Sequence, residues 1–332
     1  MNNGIHNLTA TTLLPPSPGL SVGNLSIPTA ISPAFSPLSV AGCRLWLDAD
    51  DPDSLTLSGS SVVNWRDKSQ NGLDVGYTVL ANQPIYTREY KNGRGAITFG
   101  TGAVMSVLRS AAPPVQGMTA WPMGDLSMFI VYEVLTRATS ARLMGITYSP
   151  RGTLPITATA ITGGFQLNAI SAGLDSPLAT AEYSVVSVNQ NLTIGSPHPS
   201  YEATAFPALT PTGCINYVSA VIPRGNSEAD YLRNAARGGE AEAFLRRNGR
   251  PGSRDRNYNS FALQSSVMAT RLQLGANSAG AEVPATAGGF FRGNVYEVAV
   301  FNRLTTKGET LALEEYFRQK WCRNQPPVYL QN

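Results

Sequence analysis

Four aspartates follow one another closely just after a short apolar segment at residues 44–48. They are Asp48, Asp50, Asp51 and Asp53. Hard cations such as Ca²⁺ take about six to eight oxygen ligands, so a loop rich in carboxylates is one candidate calcium site. The spacing lacks the Gly and Glu positions of an EF-hand loop, however, and Asp side chains also accept hydrogen bonds from turn backbone. The sequence favours this second interpretation, in which the carboxylates cap the turn after a first strand.

Tryptophans are the second group of candidates, because an exposed indole ring can serve as a platform for a sugar. Trp65 lies in a predicted strand and Trp321 on the apolar face of a predicted helix, so we expect both to pack in the core. Trp46 lies in the first predicted strand. Trp121 stands beside a proline in a predicted loop, and the sequence leaves open whether it is a glycan platform or an ordinary packing residue.

Recognisable catalytic patterns are missing from the sequence. Sandwich glycosidases use two carboxylates about 5–5.5 Å apart for retention or roughly 6.5–9.5 Å apart for inversion. Glu297 lies in a predicted strand, in the segment NVYEVAVF, but this strand contains no second acidic residue. The one GxSxG match, GLSVG at 19–23, falls in the proline-rich N-terminal segment and not between a strand and a helix, and His198 has no recognisable nucleophile beside it. We therefore expect no catalytic residues and no enzyme; glycoside hydrolysis by dispersed carboxylates is the remaining enzymatic alternative.

Composition narrows the range of cofactors and partners. The chain has three cysteines and two histidines with no CxxC pair, which argues against a zinc site. The net charge is +3, and the arginine-rich stretch 224–256 has only two aromatic residues, Tyr231 and Phe244, too few for a stacking surface, so we expect solvated hairpins there and no nucleic acid. No cofactor is expected apart from the calcium alternative. Cys43 and Cys322 flank the main body, and whether they form a disulfide stays open.

Residues 1–40 differ from the rest of the chain. They are rich in Pro, Ser and Thr and nearly uncharged, which disfavours helices and central strands and predicts an extended arm. A spacer does not need many large apolar residues, so we expect the arm to dock on other structural proteins. The apolar residues assigned to this contact are Leu13, Leu14, Leu20, Leu25, Ile27, Ile31 and Phe35. The N-terminus lacks a basic segment followed by an apolar core, so no signal peptide is predicted, and no membrane span is expected.

The pattern of the remaining residues predicts short strands separated by turns. We predict strands near 44–48, 61–66, 95–99, 103–108, 126–134, 141–147, 164–170, 183–188, 214–222, 241–247, 271–275 and 293–302. One helix is predicted from Thr306 to Trp321, because Thr306 and Glu309 form a capping box ahead of an apolar face. On the opposite, polar face we place Glu314 and Lys320.

Several of these segments resemble a known fold family. SVAGCRLWLDADDPDSLTL (39–57), VVNWRDKSQNGLDV (62–75) and QPIYTREYKNGRGAITFGTG (83–102) resemble the opening of a concanavalin A-like, laminin G-like jelly roll. FFRGNVYEVAVFNRLTTKGETLALEEYFRQKW (290–321) resembles its closing strand and helix. The resemblance implies an all-β, antiparallel jelly-roll sandwich over residues 41–323, with one C-terminal helix, expanded loops around 148–213 and a tail at 324–332.

The family is found in virion structural proteins and in lectin-like modules, so the fold alone does not fix the function. Combined with the arm, the resemblance implies a structural or assembly protein of a virion, such as a minor capsid, cement or surface decoration protein. Its expected location is the capsid or particle surface. The alternative is a carbohydrate-binding, lectin-like module with glycans as partners.

Overall fold

The computed structural model describes residues 35–100, 106–110, 126–136, 142–150, 163–168, 186–190, 201–203, 213–222, 244–251, 267–275 and 290–326. These residues form an all-β, sandwich-like fold with one curled antiparallel sheet and a C-terminal helix. Such a curled sheet fits a jelly roll. Most of the predicted arm, including Leu13 to Ile31, lies outside the described residues, as does Trp121.

The strands are numbered in chain order. They are β1 (Cys43–Asp48), β2 (Leu55–Ser58), β3 (Ser61–Trp65), β4 (Val75–Gly76), β5 (Ile85–Lys91), β6 (Arg94–Phe99), β7 (Leu108–Ser110), β8 (Leu126–Val134), β9 (Arg142–Pro150), β10 (Gly163–Asn168), β11 (Val186–Gln190), β12 (Tyr201–Ala203), β13 (Ile215–Ile222), β14 (Phe244–Arg247), β15 (Arg250–Pro251), β16 (Val267–Leu274) and β17 (Gly293–Phe301). Each predicted strand coincides with or overlaps one of these. Strands β2, β4, β5, β12 and β15 were not predicted.

The pairing divides the curled sheet into two layers. In the first layer, β17 pairs with β1, β6 and β8, and β8 also pairs with β13. In the second, β3, β4, β7, β16 and β9 follow one another by antiparallel pairing. Strands β8 and β17 are buried along their whole length. This explains their nearly continuous apolar sequences, because a strand covered on both faces has no solvent-facing side.

Two apolar clusters fill the spaces on either side of the first layer. Alternate residues of β8 point to opposite sides, so Met128 and Ile130 pack between the layers while Phe129 and Val131 face the helix. The helix α1 (Lys307–Trp321) covers that second side with Leu313, Phe317 and Trp321. It begins with the predicted capping box, in which Thr306 Oγ1 accepts from Glu309 N at 3.2 Å and Glu309 Oε2 accepts from Thr306 N at 2.8 Å.

Two tight turns show where the sequence pattern succeeds and where it misleads. Asn248 and Gly249 have φ angles of 52° and 78° and join β14 to β15, as an Asn-Gly hairpin requires. The pair Asn71-Gly72 likewise predicts a tight hairpin, but it lies at the end of a wider turn instead. There the positive φ angles fall on Gln70 and Gly72, within a longer connection from β3 to β4.

Candidate functional site

Asp48 ends strand β1 and lies directly opposite Glu297 of β17 in the strand register. Its carboxylate is buried and accepts from two ammonium groups, Lys320 Nζ at 2.8 Å and Lys68 Nζ at 3.1 Å. Lys68 comes from the connection after β3 and Lys320 from the last turn of α1. The first strand, the closing strand and the helix therefore meet at this carboxylate.

The other aspartates of the acidic segment surround this centre. Asp51 pairs with Lys68 at 2.9 Å, and Asp50 pairs with Arg94. Asp48 Oδ1 accepts from Asp50 N at 3.1 Å, and Asp51 Oδ1 accepts from Asp53 N at 3.2 Å. Asp53 itself is exposed. The carboxylates of Asp48 and Asp51 thus bond backbone N–H groups of their own turn, as the capping interpretation predicts.

Glu297 is the most enclosed acid of the group and is fully buried. It accepts from the indole Nε1 of Trp46 at 2.7 Å and of Trp321 at 2.5 Å, from Tyr316 Oη at 2.8 Å, and lies 3.0 Å from Lys320 Nζ. The pairing of β17 with β8 shifts between Val295 and Glu297. This bulge turns Glu297 toward the helix, where the four donors converge on it.

The ionisation of the centre follows from burial and from the adjacent cations. Burial alone would raise the pKa of Asp48, but Lys320 and Lys68 outweigh it, so that the net shift is downward. For Glu297 complete burial dominates and raises the pKa, opposed by Lys320 and reinforced by the charge of Asp48. The pKa of Lys320 is raised, because Glu297 and Asp48 overcome its own desolvation. Lys320 therefore stays charged between two carboxylates.

We call Asp48, Lys68, Glu297 and Lys320 the charge cluster. Its carboxylates accept from this chain's own lysines and indoles, and the fully buried Glu297 offers no contact to a bound molecule. Over the described parts of the chain, no group of three or more His, Cys, Asp or Glu is arranged to hold a metal ion. The calcium interpretation of Asp48, Asp50, Asp51 and Asp53 stays a prediction, and the ion pairs offer it no support.

The tryptophans lie where core packing predicts them. Trp65 and Trp321 are buried in the two apolar clusters, and Trp46 is buried with its indole N–H on Glu297. The ammonium of Lys68 lies 4.3 Å from the centre of the Trp46 ring. These three rings consequently serve the core and the charge cluster and present no platform to a sugar.

Asp67 holds the backbone of the connection that follows β3. Its Oδ1 accepts from Trp46 N at 3.0 Å and Ser69 N at 2.8 Å, and its Oδ2 accepts from Leu73 N at 3.2 Å. Asp67 thereby fastens the connection between β3 and β4 to strand β1.

The polar face predicted for the helix was wrong for Glu314 and Lys320. Glu314 is fully buried and accepts from Arg246 Nε at 3.0 Å and from Ser219 Oγ at 2.5 Å. Arg246 is buried as well, so it is not one of the solvated arginines predicted for 224–256. The sequence contained a signal for both residues. Glu314 lies three residues before Phe317 and Lys320 three residues after it, so both share the helix face of that apolar residue.

A separate polar pocket lies in the second layer, and the sequence did not predict it. It has a volume of about 560 Å³ and is lined by residues of β3, β4, β7 and the segments that flank β4. Asn64, Gly76 and Arg109 occupy one cross-strand row, because Asn64 pairs with Gly76 and Gly76 pairs with Arg109. The central position of this row carries no side chain, and the amide oxygen of Asn64 lies within 3.1 Å of the place that a Cβ at Gly76 would take.

Asp74 forms one wall of this pocket. Its Oδ1 accepts from Asp67 N at 2.8 Å and its Oδ2 accepts from Asn64 Nδ2 at 3.2 Å. On the other side, the guanidinium of Arg109 lies 4.6 Å from the centre of the Tyr77 ring. The pocket therefore combines a fixed carboxylate, an amide and a guanidinium with an aromatic surface. No sequence motif marks it, since its residues come from three separate strands.

Comparison with known proteins gives distant structural likeness only. No protein-family model matches the chain, and no curated protein matches it. The sialidase of Trypanosoma rangeli in complex with sialic acid matches 89% of this chain and 36% of its own, with 12% identity and a TM-score of 0.42. Domain 4 of AbnA, a GH43 extracellular arabinanase from Geobacillus stearothermophilus, in complex with arabinotriose, matches 82% and 97%, with 11% identity and 0.44. The botulinum neurotoxin type G receptor binding domain matches 84% and 52%, with 10% identity and 0.44. This chain thus spans about a third of the sialidase.

Proposed function

We propose that the protein is a non-enzymatic structural module of a larger assembly, a virion component whose residues 1–40 dock on neighbouring subunits. The supporting fold is all-β, antiparallel and sandwich-like, and in it β1 pairs with the closing strand β17 and the helix covers the outer side of that layer. Within the described residues, the most prominent group of acids is occupied by ion pairs that join β1, β17 and α1. This arrangement favours a structural task for acids that could otherwise serve catalysis.

One observation carries the proposal, namely how the described fold holds the end of the arm. Phe35, which the sequence assigned to the partner contact, packs instead on this chain's own helix, with its ring centre 6.1 Å from that of Tyr316, and Val40 is buried in the same apolar cluster. The chain is therefore fixed at the point where the apolar, proline-rich segment joins the sandwich. A contact that the apolar residues of the arm make with a partner is therefore joined directly to the sandwich.

The test compares the full chain with a chain that begins at Phe35. Both are produced together with the particle components and separated by sedimentation on a sucrose gradient. We expect both chains to fold, with equal melting temperatures, and only the full chain to sediment with particles. A matched control replaces three arm residues that are not assigned to contacts, Ser17, Thr29 and Ser32, by alanine and should leave sedimentation unchanged. Equal sedimentation of the truncated chain would overturn docking by the arm, and absence of the full chain from particles would overturn the virion assignment.

The second candidate function is carbohydrate binding, and the pocket over Gly76 favours it. Ligand pockets usually have a volume of about 300–1,000 Å³ and place a few polar groups among apolar walls. The pocket falls within this range and contains such groups. The two candidates are compatible, since a particle component can also bind glycans.

A further inference from the structure

We propose that the pocket over Gly76 binds a neutral saccharide through pairs of hydroxyl groups, with Asp74, Asn64 and Arg109 as its polar contacts. The inference rests on the second candidate function and gives it a location. It differs from the platform predicted at Trp121, and it involves none of the acidic segment.

The shape of the site comes from the glycine in the cross-strand row. A Cβ at Gly76 would lie 2.6 Å from Val63 O and 3.1 Å from Asn64 Oδ1, so any side chain there would collide with β3. The close approach of β3 therefore accounts for the glycine at this position. Because Gly76 has no side chain, the amide of Asn64 can lie over it, and Asn64 and Arg109 both border the pocket.

The hydrogen-bonding groups match hydroxyls better than ions. Each carboxylate oxygen can accept about two hydrogen bonds, and each oxygen of Asp74 accepts one from the protein, at 2.8 Å and 3.2 Å. The carboxylate is thereby fixed in orientation and retains acceptor capacity. Arg109 and Asn64 offer N–H donors. A sugar hydroxyl donates and accepts at once, so neighbouring hydroxyls can bond to both kinds of group.

Charge and surface character narrow the ligand further. Asp74 and Arg109 together leave the pocket without a net charge, so it has no overall attraction for an anion or a cation, and a neutral polyol can bond to both groups. The side chain of Val79, which is 49% exposed, offers apolar contact for the C–H face of a sugar ring. Together these features select a neutral saccharide.

Two neighbouring residues supply a matched pair of variants. Val79 lines the pocket, while Leu80 does not line it and is 61% exposed. Because both are exposed, a tryptophan at either position should leave the fold intact. Val79→Trp fills the pocket, and Leu80→Trp adds the same ring outside it. Asp74→Asn removes the charge but keeps the shape and one acceptor oxygen.

The experiment measures binding of glucose, galactose, mannose and their β-linked and α-linked oligosaccharides by ligand-observed NMR. The separate arms distinguish a free sugar from a chain-linked glycan. We expect the wild type and Leu80→Trp to bind at least one of these with equal affinity. Val79→Trp and Asp74→Asn should each lose at least about tenfold, the factor that corresponds to about 1.4 kcal/mol. Circular dichroism confirms that all four proteins are folded.

Each contrary outcome has its own meaning. If the wild type binds a saccharide and Val79→Trp binds it equally well, carbohydrate binding stands but the pocket is not its site. If the wild type binds none of the saccharides, both this site and the carbohydrate candidate fall. If Asp74→Asn keeps full affinity while Val79→Trp loses it, the pocket binds the sugar but the proposed role of the carboxylate is wrong.

Discussion

The charge cluster and the pocket over Gly76 are built from similar groups but differ in what those groups face. In the cluster, Asp48 and Glu297 face lysines and indoles of the same chain and are closed off from solvent. In the pocket, Asp74 is held by two bonds from the protein and faces a cavity. The comparison teaches that grouped carboxylates mark the place where the sandwich is fastened together, whereas the better candidate for ligand binding contains a single carboxylate.

Removing the central cation should break the cluster most severely. Lys320→Met leaves the carboxylates of Asp48 and Glu297 buried beside each other without their shared ammonium. We expect the free energy of unfolding to fall by about 3–5 kcal/mol, as for other buried ion pairs that lose one partner. Urea titration followed by tryptophan fluorescence measures it. The control Lys307→Met lies on the same helix, is exposed, and should change stability by less than about 0.5 kcal/mol.

Removing one carboxylate should have a smaller effect that depends on pH. Asp48→Asn loses two charge-assisted bonds, and we expect a loss of about 2–3 kcal/mol at pH 7. The folded pKa of Asp48 lies below its unfolded value of about 4, so its contribution is present above that pH and lost as pH falls through the folded pKa. The stability curves of the two proteins should therefore converge below about pH 4.

The raised pKa of Glu297 acts in the opposite sense, and Asp48→Asn removes the charge that reinforces it, so the difference between the two curves reports Asp48 together with its coupling to Glu297. Asp53→Asn, an exposed change in the same segment, serves as the control and should follow the wild type at every pH. A constant gap between wild type and Asp48→Asn down to pH 2 would show that the ion pairs of Asp48 add nothing to stability.

A change at the centre of the pocket should cost less than either change in the cluster. Gly76→Ala places a methyl group against Val63 O, and we expect a loss of about 1–2 kcal/mol as β3 and β4 separate. Gly59→Ala is the control for added bulk, because nothing lies within 4 Å of its Cβ position; its positive φ of 61° alone accounts for any loss. If Gly76→Ala is no less stable than wild type, then close packing does not explain the glycine.

The last prediction involves no loss of stability. Thiol labelling tests whether the side of the molecule that holds the charge cluster is closed to water. Burial raises the pKa of Cys43 and of Cys322 to about 12, whereas Cys214 is exposed. At pH 8 a thiol reagent should label Cys214 rapidly and the other two only after unfolding in guanidinium chloride. The Cys214→Ser variant should lose the rapid phase. Fast labelling of Cys322, which follows the helix directly, would mean that the cluster side is open to solvent.

Much of the fold could be predicted from the sequence because it depends on local patterns. The apolar sequences of β8 and β17 and the capping box at Thr306 each indicate their element without knowledge of the partner. Strands β4 and β15 were not predicted, because a strand of two residues is too short to show an alternating pattern. The expectations for Trp121 and for most of the arm stay predictions, because these residues lie outside the described ones. Within the described parts of the chain, no helix is long and apolar enough to cross a membrane.

The polar sites were harder to predict because they depend on distant partners. Glu297 was noticed as a lone acid in an apolar strand, but its partner Lys320 was assigned to solvent. The correct clue was helical spacing, since Lys320 lies next to Trp321 and four residues after Tyr316. For the pocket there was no such clue, because the register that places Gly76 between Asn64 and Arg109 is set only when three strands pair.

The pairing of β1 with β17 has a consequence for synthesis of the chain. Trp46 and Glu297 are 251 residues apart, so among the described strands β1 meets its partner β17 only after a long stretch of further chain has been made. At translation rates of about 5–20 residues per second, this wait lasts roughly 10–50 s. During that time the apolar edge of β1 is open to wrong partners. Productive folding of the first layer therefore waits for the synthesis of β17.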